Sequence, residues 1–150
     1  MSRFSILTAL SLVLAACTTH DTMDGGTMGD ELTEAEQELD RHHGAMMAAR
    51  SLPSVNEEAE VHSSKMGGVM ARMTEAMGGM MSHCSGARMD EMYELMTALR
   101  YEMHDHGEAL ENTTQLDAVQ TLCASHVGEV RGILSSMHDG LGRADCGMMR

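Results

Sequence analysis

Five residues of this chain, His43, His62, His106, Cys123 and His126, carry the nitrogen and sulfur donors that bind transition metals. Neutral imidazole and thiolate suit zinc, copper and nickel, and thioethers add a preference for Cu(I). Glu58 and Glu102 each stand four residues before one of these histidines. A helix would set them on the same face, either as ligands or as carboxylates that orient a ring. The Cys123-x-x-His126 pair taken singly is a common pattern. Four histidines in four separate segments are the stronger signal.

Methionine supplies a second kind of donor. The run KMGGVMARMTEAMGGMMSHC at residues 65 to 84 holds a block M-G-G-x-M at Met66 to Met70 and again at Met77 to Met81. Their spacing of eleven is three helical turns, so both blocks fall on nearly one face. Thioethers in such a stripe are first of all apolar packing. Met77, Met81, Met89, Met92 and Met137 nevertheless gather towards one end of the molecule, where a second, softer site suited to Cu(I) stands as the alternative to plain packing. Gly67-Gly68 and Gly78-Gly79 have two readings: another backbone approaches closely there, or the helix is loosened so that methionines can rearrange.

These donors need helices to position them. From about residue 31 apolar residues recur every three or four positions, and no segment alternates as a strand would. A first helix is expected over about 33 to 50, capped by Thr33 and Glu36, with Leu39, His43 and Met46 on its stripe. Pro53 breaks it. A second starts at Ser54, capped by Ser54 and Glu57, with His62, Met66, Met70, Met73 and Met77 in line. The third carries Met89, Met92, Met96, Leu99, Met103, His106 and Leu110. The fourth carries Leu116, Val119, Cys123, His126, Val130, Ile133 and Met137. Short connections make these an all-α, antiparallel up-down four-helix bundle. At ~1.5 Å per residue, the four histidines and Cys123 fall roughly 8 to 18 Å from one end, close to a common layer.

The N-terminus reads differently. MSRFS carries one cation, ILTALSLVL is apolar but too short to span a bilayer, and small residues follow. Leu14-Ala15-Ala16-Cys17 resembles the lipobox of bacterial lipoproteins. That resemblance implies a signal peptide over 1–16, removal of the signal before Cys17, and lipid on that cysteine, such as palmitate. Anchoring by more than one acyl chain is stable. Thr18 in place of an aspartate favours the outer membrane within that family, with the domain in the periplasm. Residues 17–30, rich in Gly, Asp and Thr, are expected to be the lipidated cysteine and a flexible tether, and 31–150 the helical domain with a short tail.

Loss of the signal removes only Arg3 among the cations, leaving 9 basic residues against 23 acidic, a net charge of −14. Such a chain does not bind nucleic acid through phosphate contacts. The expected partners are instead the membrane, through the anchor, and an envelope protein that the sequence does not identify. With no Trp and one Phe, which lies in the signal, the core falls to Met, Leu, Val and Ala. Once Cys17 is lipidated, Cys84, Cys123 and Cys146 remain in an oxidising compartment, where one pair at most can form. The bundle topology brings the end of the second helix beside the tail, so the expected disulfide is Cys84 to Cys146. Cys123 is left in the seam.

The run HHGAMMAARSL at residues 42 to 52 is similar to the opening of a periplasmic helical family often found beside copper-handling proteins. The likeness covers these eleven residues and implies copper. Catalysis has little support: C-x-x-C-H, H-E-x-x-H, a phosphate loop and paired Glu-x-x-His motifs are all missing. The expected function is non-enzymatic, an envelope lipoprotein that binds or buffers a soft metal, most plausibly copper, with zinc or nickel as alternatives. The competing reading is a structural or interaction lipoprotein whose Met-rich core holds no metal.

Overall fold

The computed structural model describes residues 27–81 and 86–143. Four helices account for almost all of them, and no strand occurs among the described residues: α1 Met28–Ala48, α2 Leu52–Met80, α3 Gly86–Glu111 and α4 Leu116–Arg143. They form a four-helix bundle in which α1 packs on α2 and α4, and α3 on α4, while α2 and α3 are the loosest of the four neighbouring pairs. The expected lipid site Cys17 and the Cys84–Cys146 disulfide lie outside the described residues. No described helix is long and apolar enough to cross a membrane.

Two helices start earlier than their expected caps. Thr27 rather than Thr33 opens α1: its hydroxyl accepts from the Asp30 amide at 3.3 Å, and the Asp30 carboxylate accepts from the Thr27 amide at 2.9 Å. Two orphan donors are satisfied reciprocally, which is a capping box. Thr33 then lies inside the helix, its hydroxyl donating to the Gly29 carbonyl at 2.9 Å. Residues 27 to 30, expected to belong to the tether, are the first turn of the bundle, and Met28 is buried. Likewise Ser51, not Ser54, caps α2, and Pro53 sits in its first turn. A proline there loses no hydrogen bond, because that N–H has no partner within the helix anyway. The same residue therefore ends one helix and starts the next.

Apolar residues at alternating intervals of three and four build the core. Leu32, Ala35, Leu39 and Met46 come from α1, Met66, Val69, Met73 and Met77 from α2, Met92, Met96 and Leu99 from α3, and Val119, Val130, Leu134 and Met137 from α4. Each fully buried side chain of this size contributes on the order of 1.5–3 kcal/mol through removal from water. Most of the methionine face is therefore core. Glycine has the simpler explanation too: a Cβ at Gly67, Gly78 or Gly79 would meet nothing within 4 Å, and one at Gly68 would meet only the Arg72 guanidinium at 3.8 Å. No backbone approaches α2 at these positions.

Candidate metal centre

Four histidines meet at the centre of the bundle, one from each helix: His42, His62, His106 and His126. All four are buried. His42 and His62 stack with ring centroids 3.8 Å apart and planes 15° from parallel. His106 and His126 stack at 3.8 Å and 8°. The two stacks cross almost at right angles, with centroids 5.6 Å apart for His42 and His106, 5.6 Å for His62 and His126, and 6.2 Å for His42 and His126.

Three of the rings are held from behind by carboxylates. His62 Nδ1 lies 3.1 Å from Glu38 Oε1, His42 Nδ1 lies 3.0 Å from Glu58 Oε1, and His126 Nδ1 lies 2.8 Å from Glu102 Oε1. Arg41 bridges the first two carboxylates, donating to both oxygens of Glu38 and both of Glu58 over 2.5 to 2.8 Å. Lys65 adds an ion pair to Glu38 at 3.1 Å. Burial alone would raise the Glu38 carboxyl, but hydrogen bonds from Arg41, His62 and Lys65 outweigh it and hold the pKa at about 2. Glu58 is lowered as well, against its burial, by Arg41 and His42. Both are therefore ionised at neutral pH and can only accept. Nδ1 of His42 and His62 must donate, which leaves a lone pair on each Nε2.

Desolvation keeps all four rings uncharged. It lowers His42, lowers His62 and His106 to about 4, and lowers His126 to about 2; for the last three, repulsion from neighbouring rings adds to burial. Two of the inner nitrogens, His42 Nε2 and His106 Nε2, are buried without a hydrogen-bond partner. His62 Nε2 and His126 Nε2 stand 3.4 Å apart. That is long for a hydrogen bond but close to the ~3.3 Å edge of a tetrahedron of imidazole nitrogens at ~2.0 Å from one ion. Two ligand rings on one such ion would have centroids roughly 5 Å apart. The pairs across the two stacks have that room; the pairs within a stack lie closer. Accordingly, among the described residues no group of three or more His, Cys, Asp or Glu already stands as a chelate.

Of the five residues expected in this layer, His62, His106 and His126 are brought together. His43 is not: it is half-buried beside the cluster, and His42 takes its place. With Ala35 and Leu39 buried on α1, the alternation continues through 42 and 46, so position 42 faces inward. Cys123 is buried and unbonded, one turn before His126, and its thiol is pushed up to about 11 by desolvation and the Glu58 charge. It is a neutral thiol packed in the core. Glu58 and Glu102 orient His42 and His126, not the histidines four residues after them.

At the other end, Met77, Met89, Met92 and Met137 are buried in the core. Met81 is on the surface, 58% exposed, where its sulfur accepts a hydrogen bond from the Tyr93 hydroxyl at 3.3 Å. Glu38 and His42 were missed by the sequence reading, and a signal for both exists. Shifting the chain by 64 residues carries Glu38 onto Glu102, His42 onto His106, His62 onto His126 and Met73 onto Met137. The α1–α2 hairpin and the α3–α4 hairpin are two copies of one pattern, and the centre lies where they face each other. Comparison with family models, with curated proteins and with solved structures finds no match.

Proposed function

We propose that this chain is an envelope protein that binds a single first-row transition-metal ion at its four central imidazoles, copper foremost and zinc or nickel as alternatives. The observation that carries this reading is the set of inward nitrogens. Two buried Nε2 atoms have no partner, and a buried polar atom without one costs about 1–3 kcal/mol. A cation among them would satisfy both. Neutral rings whose outer nitrogens donate to carboxylates are the usual state of metal-ligating histidine. An imidazole set with no thiolate accepts Zn, Cu and Ni, and affinity among divalent ions peaks at copper. Binding would open each ring stack by roughly 1 Å. The role proposed is holding the ion. The lipobox-like Leu14 to Cys17 supports placement of the domain in the periplasm, tethered to the outer membrane.

One observation favours a metal-free histidine core instead. Glu102, if protonated, can donate to His126 Nδ1, whose Nε2–H would then point at His62 Nε2, 3.4 Å away, completing a chain to Glu38. This accounts for two rings and leaves His42 and His106 unsatisfied. Competition of the purified chain with a strong chelator for Cu(I), Cu(II) and Zn(II) separates the two readings. Stoichiometric binding that is lost in His42→Ala and retained in His43→Ala supports the metal centre. Failure to compete for every one of these ions and for Ni(II) rejects it.

A further inference from the structure

The two hairpins match in their histidines but not in the charges behind them. The 64-residue shift that carries Glu38 onto Glu102 also carries Arg41 onto Asp105, Lys65 onto Glu129 and Glu58 onto Leu122. In the first hairpin every carboxylate behind the rings is matched by a cation: Arg41 holds Glu38 and Glu58, and Lys65 holds Glu38. In the second, Glu102 meets His126 Nδ1 at 2.8 Å from behind the ring, while Glu129 hydrogen-bonds to Glu102 and Asp105 adds a further negative charge. Among the described residues no Lys or Arg forms an ion pair with Glu102, Asp105 or Glu129. The Glu129 carboxylate also accepts from the Ser125 hydroxyl at 3.1 Å. Glu102 is itself mostly buried, whereas Asp105 and Glu129 are exposed. An uncompensated acidic path thus runs from the surface to His126, whose ring stacks on that of His106, where Nε2 is buried without a partner.

We propose that the α3–α4 face is the port through which the cation reaches and leaves the four-histidine centre, and that the α1–α2 hairpin is the fixed half. This rests on the metal reading above. A cation is drawn by exposed carboxylates that no base neutralises. Glu102 then lies between those carboxylates and a ligand ring, able to accept the ion in passing. On the opposite hairpin Arg41 and Lys65 occupy the corresponding space and would repel it. Loss of exact two-fold symmetry is therefore functional: one half orients the rings and the other admits the ion.

Replacing Glu129 by the residue found at the equivalent place tests this. Glu129→Lys would pair with Glu102 as Lys65 pairs with Glu38. Glu75→Lys, exposed on α2 and far along the bundle, makes the same change in net charge and serves as control. Cu2+ association and dissociation with the purified chain would be followed by stopped-flow absorption at low and high ionic strength, together with the equilibrium affinity. The expected result is association at least about fivefold slower in Glu129→Lys, with dissociation slowed as well, less than twofold change in Glu75→Lys, and a difference that shrinks as salt is raised. Glu129→Gln, which removes charge without adding an ammonium, should fall between. Association unchanged in Glu129→Lys, or slowed no more than in Glu75→Lys, overturns the port while leaving the centre intact. Absence of binding of Cu2+, Cu(I), Zn2+ and Ni2+ alike in the parent chain removes both.

Discussion

Acidification should unfold the metal-free protein over an unusually narrow range, and the direction follows from the central histidines. Each has a folded pKa below the ordinary 6.5, lowered first by burial, so the folded state binds fewer protons than the unfolded one. Stability from such a group is fully present above pH 6.5 and is lost as pH falls towards the folded value. Each contributes a loss of about 1.4 kcal/mol per pH unit within that window. Glu102 acts with the opposite sign. Desolvation, then its hydrogen bond with Glu129, raise it to about 7, so between 4.5 and 7 the folded state holds a proton that the unfolded state releases. One of the three histidines held at about 4 or below is thereby offset, so the net slope well below pH 6.5 is that of about two protons, ~3 kcal/mol per pH unit, and His42 adds to it in the same direction. Glu38 and Glu58, both lowered, add to the loss only below pH 4.5.

Because an unfolded histidine is only half protonated at pH 6.5, the fall between pH 6.5 and 5.5 is ~2 kcal/mol, a sizeable part of the ~5–15 kcal/mol that holds a domain together. Urea unfolding followed by helical circular dichroism, with chelator present, at pH 7.5, 6.5 and 5.5 measures it directly. The chain has no tryptophan, so fluorescence is a poor probe. The urea midpoint should hold nearly constant from 7.5 to 6.5 and drop steeply below. A midpoint that stays level down to pH 5.5 would mean that the rings are solvated or already charged, and the argument for neutral inward nitrogens would fail with it.

Other substitutions test separate parts of the same account. Glu38→Gln removes the charge, and one of the two acceptor oxygens, shared by Arg41, His62 and Lys65; it should cost roughly 3 kcal/mol in urea unfolding and weaken metal binding about 10- to 100-fold in chelator competition. Leu39→Ala, at a fully buried site on α1, should cost about 2–5 kcal/mol by the same unfolding assay. Gly67→Ala and Gly78→Ala should each stabilise by roughly 0.5–1 kcal/mol, because a Cβ meets open space and the helix gains propensity; a loss of stability would show that α2 needs its glycines.

The bundle was legible because its evidence is periodic. Apolar residues at three-four intervals in α2, α3 and α4 leave one consistent face, and the turns at Pro53, Ser85-Gly86 and Asn112 to Thr114 divide them. Caps were less legible, since Thr27 and Thr33 both offer a hydroxyl three residues before an acid or near one. What decides between them is whether the residues in between, Met28 and Leu32, find a core to enter, and that is tertiary information. The Gly-Asp-Thr composition before residue 31 looks like a tether for the same reason: a single buried methionine carries the first turn.

The histidine layer shows where local periodicity runs out. Positions 42 and 43 both satisfy a three-four alternation between Leu39 and Met46, so a single helix cannot choose between adjacent histidines. The choice is made by the partner segment. His106 has no histidine beside it on its own helix, and carrying it back by the repeat falls on His42 alone. The same comparison picks out Glu38, which no local motif marks, because Glu102 stands at the corresponding place behind His126 just as Glu38 stands behind His62. Residues that serve one centre from two duplicated hairpins are constrained as pairs, and only a comparison of the halves exposes them. The departures then carry as much information as the matches: where Arg41 and Lys65 are answered by Asp105 and Glu129, the fold has kept its shape and reversed the charge on one of its two faces, which no requirement of packing explains.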